Sequence, residues 1–104
     1  PPSPFLPPLP PFLMVRVRFF AKFRELAGTG EMEVEASDVR SLLTALHARN
    51  RELGEALLED PKGVKLRKTV KVLVNGREAR WLRGLDTPLR EGDVVYLFPP
   101  VGGG

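Results

Sequence analysis

Val94-Val95-Tyr96-Leu97-Phe98-Pro99-Pro100-Val101-Gly102-Gly103-Gly104 is the stretch on which the rest of the reading turns. Its first five residues are β-branched, aromatic or otherwise apolar, the composition of a central strand. Pro99-Pro100 then stiffens the exit from that strand, because each ring fixes its φ. The three glycines lack Cβ and reach backbone conformations closed to other residues, so they can thread a narrow channel. The sequence therefore predicts a terminal carboxylate carried away from the fold toward another protein's active site. The competing reading is an ordinary flexible tail or a cloning remnant.

Upstream, Val15, Val17 and Phe19 alternate with Arg16, Arg18 and Phe20, the period-two pattern of a half-buried strand. Ala21 to Gly28 reads as a short helical turn closed by glycine, with Phe23 and Leu26 facing inward. Glu31 to Ala36 alternates again and predicts a second strand, antiparallel to the first through a link around Gly28-Thr29-Gly30. Ser37 stands where a helix N-cap is wanted, and Val39, Leu42, Leu43 and Leu46 mark one apolar face of a main helix over about Asp38 to Arg49.

A shorter helix is expected over Glu52 to Glu59 before Pro61, followed by a basic loop from Lys62 to Lys68. Val70, Val72 and Val74 alternate into the Asn75-Gly76 turn, with a further strand near Glu78 to Leu82. Thr87-Pro88-Leu89 and Glu91-Gly92-Asp93 punctuate the loop before the last strand. The order predicts an α+β fold in which one mixed sheet of about five strands covers one main helix.

Composition narrows the chemistry. With 104 residues and 42% hydrophobic content, the chain has room for one globular domain, expected over Met14 to Gly104. Residues 1–13 carry seven prolines and no basic start, which argues against a signal peptide. PxxP-like spacing in Pro4-Phe5-Leu6-Pro7 and Pro8-Leu9-Pro10-Pro11 arises easily from such bias, and an extension upstream of a start at Met14 is expected. No apolar run approaches the roughly 20 residues of a membrane span.

The absence of cysteine excludes disulfides, thiolate metal sites, a cysteine nucleophile and a side-chain persulfide. A single histidine, His47, rules out a multi-histidine metal cluster, and its grouping with Ser37 or Ser41 lacks the context of a hydrolase triad. Covalent work is left to lysine, a carboxylate side chain or the C-terminus. Net charge is +3, concentrated at Lys62, Lys65, Arg67, Lys68 and Lys71, without interleaved aromatics for base stacking. Direct nucleic-acid binding is not expected from that stretch.

Phe20 falls on the wet face of the first strand with Arg16 and Arg18. An aromatic there reads either as part of a contact patch or as filler of a small secondary core under the Ala21 to Gly28 turn.

Val17-Arg18-Phe19-Phe20-Ala21-Lys22-Phe23-Arg24-Glu25-Leu26-Ala27-Gly28, the Asn75-Gly76 turn, Asp86-Thr87-Pro88-Leu89, Gly92-Asp93-Val94-Val95 and Phe98-Pro99-Pro100-Val101-Gly102-Gly103 resemble the small, sulfur-carrying subunit of molybdopterin synthase. The resemblance spans nearly all of Met14 to Gly104. Related carriers of the same ubiquitin-like β-grasp family serve thiamine biosynthesis and transfer-RNA 2-thiolation. One departure is that the family pattern ends at Gly-Gly, whereas Gly104 follows Gly102-Gly103 here. Either Gly104 is the reactive residue or a terminal residue is removed first.

The resemblance implies a final strand that is central and parallel to the first. It also implies a protein that is not catalytic alone, holds no cofactor or metal, and works in the cytoplasm. An ATP-dependent, ubiquitin-activating-type adenylyltransferase would activate the Gly104 carboxylate, and a desulfurase or rhodanese-like sulfur donor would convert it to a thiocarboxylate. The tail Pro100, Val101, Gly102 and Gly103 would thread the pocket of the synthase large subunit. Phe20, Leu82 and Phe98 would meet the partner surface, with Arg24 beside acidic groups of the activating enzyme. The alternatives are the same chemistry for transfer-RNA or thiamine thiolation, and a ubiquitin-like modifier joined to lysines.

Overall fold

The computed structural model describes residues 13–100. Of the expected proline-rich extension it describes only Leu13, and the tail Val101, Gly102, Gly103 and Gly104 lies outside the described residues.

The first alternating stretch forms β1 (Met14–Phe19), with Val15, Val17 and Phe19 buried and Arg16 and Arg18 exposed. A short helix, α1 (Lys22–Ala27), follows and drives Phe23 into the core. It ends at Gly28, whose φ of 76° is the left-handed conformation that glycine adopts without a Cβ penalty. β2 (Glu31–Glu35) returns antiparallel to β1, pairing Val17 with Met32 and Val15 with Val34.

The main helix, α2 (Val39–Arg49), begins one residue later than the sequence reading placed it. Asp38, not Ser37, is the N-cap. Its Oδ1 accepts the Ser41 N–H at 2.7 Å, while Ser41 Oγ accepts the Asp38 N–H at 3.1 Å. This reciprocal pair satisfies two amides that the first helical turn leaves without partners.

Asn50 ends α2 and caps the next helix, α3 (Arg51–Leu57), accepting the Leu53 N–H at 3.0 Å. The expected helix to Glu59 is therefore shorter. Leu58–Asp60 leaves as β3 and pairs antiparallel with β4 (Lys65–Leu66), which lies inside the stretch expected to be a basic loop. Pro61 disfavours helical backbone at the residue before it, and the Leu58–Leu66 pairing gives the extended segment backbone partners.

β5 (Lys71–Val74) runs into Asn75-Gly76, where both residues have positive φ, 52° and 90°, as a tight hairpin turn requires. β6 is only Arg77–Glu78. The strand expected near Glu78 to Leu82 gives way to a 3₁₀ turn at Ala79–Trp81 that buries Ala79 and exposes Trp81. A second 3₁₀ turn, Gly84–Asp86, leads to Thr87, whose buried hydroxyl donates to the Gly84 carbonyl at 2.7 Å and accepts the Arg83 N–H at 3.1 Å.

β7 (Val94–Phe98) completes a mixed sheet in the order β2-β1-β7-β5-β6. It is parallel to β1 and antiparallel to β5, so it occupies the centre, as the resemblance implied. The inner face of the sheet, including Val17, Val34, Val72, Val95 and Leu97, packs on Val39, Leu42, Leu43 and Leu46 of α2 in one buried cluster. Each such side chain contributes roughly 1.5–3 kcal/mol through burial.

Candidate functional site: an aromatic face at the exit of the glycine tail

The alternation that sends Val95 and Leu97 inward leaves Tyr96 and Phe98 half-buried on the outer face of β7. Parallel pairing sets Arg18 opposite Tyr96 and Phe19 opposite Leu97, and the next step along both strands brings Phe20 level with Phe98. The two rings stack with centroids 4.5 Å apart and planes 9° from parallel. Tyr96 extends the group, with centroids 6.2 Å from Phe20 and 6.5 Å from Phe98. Such pairs contribute about 0.5–1.5 kcal/mol beyond the area they bury.

Phe20 stands on the outer face of the sheet and not in the core beneath α1. Phe23 fills the core beneath α1, whereas Phe20 lies half-buried on the outer face against Phe98 and Tyr96. The rings sit where the chain leaves the sheet, because Phe98 is the last residue of β7 and Pro99-Pro100 follows directly. Lys71, the cross-strand neighbour of Phe98, is exposed beside them. Tyr96 was legible only as a strand residue, although its alternation with Val95 and Leu97 is the signal that assigns it to the Phe98 face.

Arg24 is exposed on α1, a helical turn beyond Phe20. It borders a shallow hollow shared with Ala21, Gly28 and Gly30. A Cβ at Gly30 would stand 3.3 Å from Arg24 Cζ, so the glycine permits the guanidinium to lie close to the backbone. Leu82 is 39% exposed but does not join the aromatic group. It follows the 3₁₀ turn beyond edge strand β6, on the far side of β5 from β7. Pro100 is exposed at the end of the described residues.

Trp81 was missed as a surface residue by the sequence reading. It is 78% exposed, with its indole N–H donating to Glu78 Oε2 at 3.1 Å. The signal was the failure of Arg80-Trp81-Leu82-Arg83 to alternate.

Other candidates resolve into structural roles. Ser41 Oγ is engaged in the α2 cap, accepting also from the Ser37 N–H at 3.0 Å, and so is not poised as a nucleophile. His47 Nδ1 is buried against α3 and lacks a hydrogen-bond partner among the described residues. Of the basic stretch, Lys65 pairs with Glu59 at 3.6 Å and Arg67 Nε donates to the Glu55 carbonyl at 3.0 Å. Among the described residues no group of three or more His, Asp or Glu side chains is arranged to hold a metal ion, and no helix is long and apolar enough to cross a membrane. The arrangement provides an apolar patch on the outer face of the sheet at the end of β7, beside Pro99-Pro100.

A mixed five-stranded sheet wrapped on one helix is the ubiquitin-like β-grasp architecture. Residues 17–104 match the ThiS family, and the chain belongs to that family of ubiquitin-like sulfur carriers. It is 40% identical over 93 residues to small archaeal modifier protein 3 of Haloferax volcanii, covering 86% of this chain and 98% of that protein. It is 39% identical over 93 residues to the molybdopterin synthase sulfur carrier subunit of Escherichia coli, covering 88% of this chain and all of the relative. The solution structure of small archaeal modifier protein 1 from Methanosarcina acetivorans superposes with a TM-score of 0.81 at 32% identity, covering 89% and 98% of the two chains.

Proposed function

We propose that this chain carries sulfur as a C-terminal thiocarboxylate on Gly104 and donates it in molybdopterin synthesis as the small subunit of the synthase. The observation that carries the reading is the Phe20–Phe98 stack at the end of β7, an apolar platform beside the point where the tail leaves the body. Similarity to a molybdopterin synthase sulfur carrier subunit supports it.

In this mechanism a Gly104 carboxylate oxygen attacks the α-phosphorus of ATP on an adenylyltransferase and expels pyrophosphate. A sulfur nucleophile at the oxidation level of sulfide then displaces AMP from the acyl carbon and leaves a C(O)S⁻ end. The large subunit binds Pro100, Val101, Gly102 and Gly103 in a narrow channel and presents the sulfur to a pterin precursor. Positioning is the contribution of this chain, while acid–base groups come from the partner. Phe20 and Phe98 supply the apolar contact, and Leu82 and Arg24 supply flanking ones. ATP is held by the activating enzyme, a desulfurase or rhodanese-like protein supplies sulfur as a persulfide that a thiol reduces to the sulfide level with formation of a disulfide, and the carrier itself acts in the cytoplasm without a bound cofactor.

A second reading is favoured by the 40% identity to a small archaeal modifier protein: the same activated glycine is joined to a lysine amine of another protein. Intact-mass analysis after incubation with ATP, the adenylyltransferase and a sulfur source separates the two. Replacement of one oxygen by sulfur is expected for the carrier, and a lysine-linked adduct for the modifier. Removal of Gly103 and Gly104 is expected to abolish both products. A truncated chain that still restored molybdopterin synthesis in a deficient host would overturn the proposal.

A further inference from the structure

A groove of about 350 Å³ opens on the helix side of the sheet, between β5, the N-terminus of α2 and the two 3₁₀ turns. Its floor is the buried layer of Val39, Val70, Val72 and Ala79, and its partly exposed apolar walls are Leu66 and Leu85. Val70, Val72 and Val39 belong to the inner, core-facing layer, so the groove lies behind the sheet from Phe20, Tyr96 and Phe98. The aromatic platform does not account for it.

Its rim is cationic. Arg67, Lys68 and Arg80 stand at the mouth, and the Arg67–Val70 turn, closed by a 3.1 Å hydrogen bond from the Val70 N–H to the Arg67 carbonyl, holds two of them there. Among the described residues the only carboxylate lining the groove is Glu78. It is already engaged by Arg80 Nε at 2.7 Å through Oε1 and by the Trp81 indole through Oε2. Lys68 has no carboxylate partner among the described residues. The Glu78 contact also ties Trp81, 78% exposed, to the same edge, and Trp and Arg are the residues in which binding energy concentrates at interfaces.

We propose that this groove docks an acidic peptide segment of a partner protein. One or two apolar side chains would seat between Leu66 and Leu85 over the Val72–Ala79 floor, with flanking carboxylates meeting Lys68 and Arg67. The volume stands at the low end of the roughly 300–1,000 Å³ range of ligand pockets, enough for such anchors. Charge complementarity at the rim selects an acidic partner over a basic one. Because the groove and the aromatic face are on opposite sides of the sheet, both can be occupied at once. The inference does not depend on the fate of Gly104.

The test is titration of the isotope-labelled full chain with a synthetic peptide in which leucines alternate with pairs of aspartates, followed by amide chemical shifts. Saturable shifts are expected at Val39, Val70, Val72, Ala79 and Leu85, with Tyr96 and Phe98 unmoved. Lys68→Glu, an exposed change that leaves the core untouched, is expected to weaken binding at least about fivefold. Replacing the peptide leucines by serine is expected to abolish binding. The proposal is overturned by equal binding of a peptide with lysines in place of aspartates, by shifts on the Phe20–Phe98 face, or by no saturable change at millimolar peptide. Decanoate binding without peptide binding overturns it, as do concentration-dependent shifts of these amides in the chain alone, which would place a second copy in the groove.

Discussion

Phe20→Asp separates a docking role for the outer aromatic face from a purely architectural one. The ring stacks on Phe98 at 4.5 Å and approaches Tyr96 at 6.2 Å, yet it lies outside the buried core cluster. Loss of the stack costs the fold about 0.5–1.5 kcal/mol. For a domain of this size each kcal/mol lowers Tm by about 4–8 °C, so a fall of about 2–12 °C is expected. The interface loses more, because an aromatic anchor near the centre of a contact typically contributes at least about 2 kcal/mol, close to thirtyfold in Kd. A carboxylate placed there also carries a desolvation cost into the complex.

Calorimetric titration against the adenylyltransferase and the large subunit, with thermal unfolding of the free chain in parallel, measures both terms. Phe20→Leu is the control, keeping apolar area while removing the ring, and is expected to lie between wild type and Phe20→Asp. A Tm loss well beyond this range together with unchanged affinity would refute the reasoning and assign Phe20 to the fold alone.

Two stability predictions follow from the helices. A Cβ at Gly54 would stand 2.6 Å from His47 Cα, and backbone cannot yield as a flexible side chain does. Gly54→Ala is therefore expected to destabilise by at least about 1 kcal/mol, with overpacking exceeding the gain of about 1 kcal/mol in helix propensity; denaturant titration with a rise in midpoint would contradict it. Asp38→Ala removes the acceptor of the 2.7 Å bond from the Ser41 N–H and is expected to cost about 1 kcal/mol, while Asp38→Asn retains most of the cap, as measured by thermal unfolding.

Much of the fold was legible locally. The alternation of Val15, Val17 and Phe19, the Val39–Leu42–Leu43–Leu46 stripe and the Asn75-Gly76 turn each express a period or a backbone requirement contained within a few residues, and each reappears in the structure. Local signals failed where two segments compete for the same residues. Leu58–Asp60 carries helical composition but is drawn into extended pairing with Lys65–Leu66, and Ser37 yields the cap to Asp38 because Ser41 reciprocates one residue later. Trp81 sat in an expected strand because β propensity does not say where a hairpin arm ends.

The residue pattern alone determined which faces are apolar, where the turns fall, and that cysteine and multi-histidine chemistry are absent from this protein. Family resemblance, not spacing, anticipated that β7 is central and parallel to β1. Tertiary structure decided that Phe20 and Phe98, far apart in the chain, stack as one platform, and that a cationic apolar groove lies behind them. The physical reason is that periodicity records whether a side chain faces water, whereas its neighbours depend on strand order and register, which are set by the packing of the whole sheet on α2.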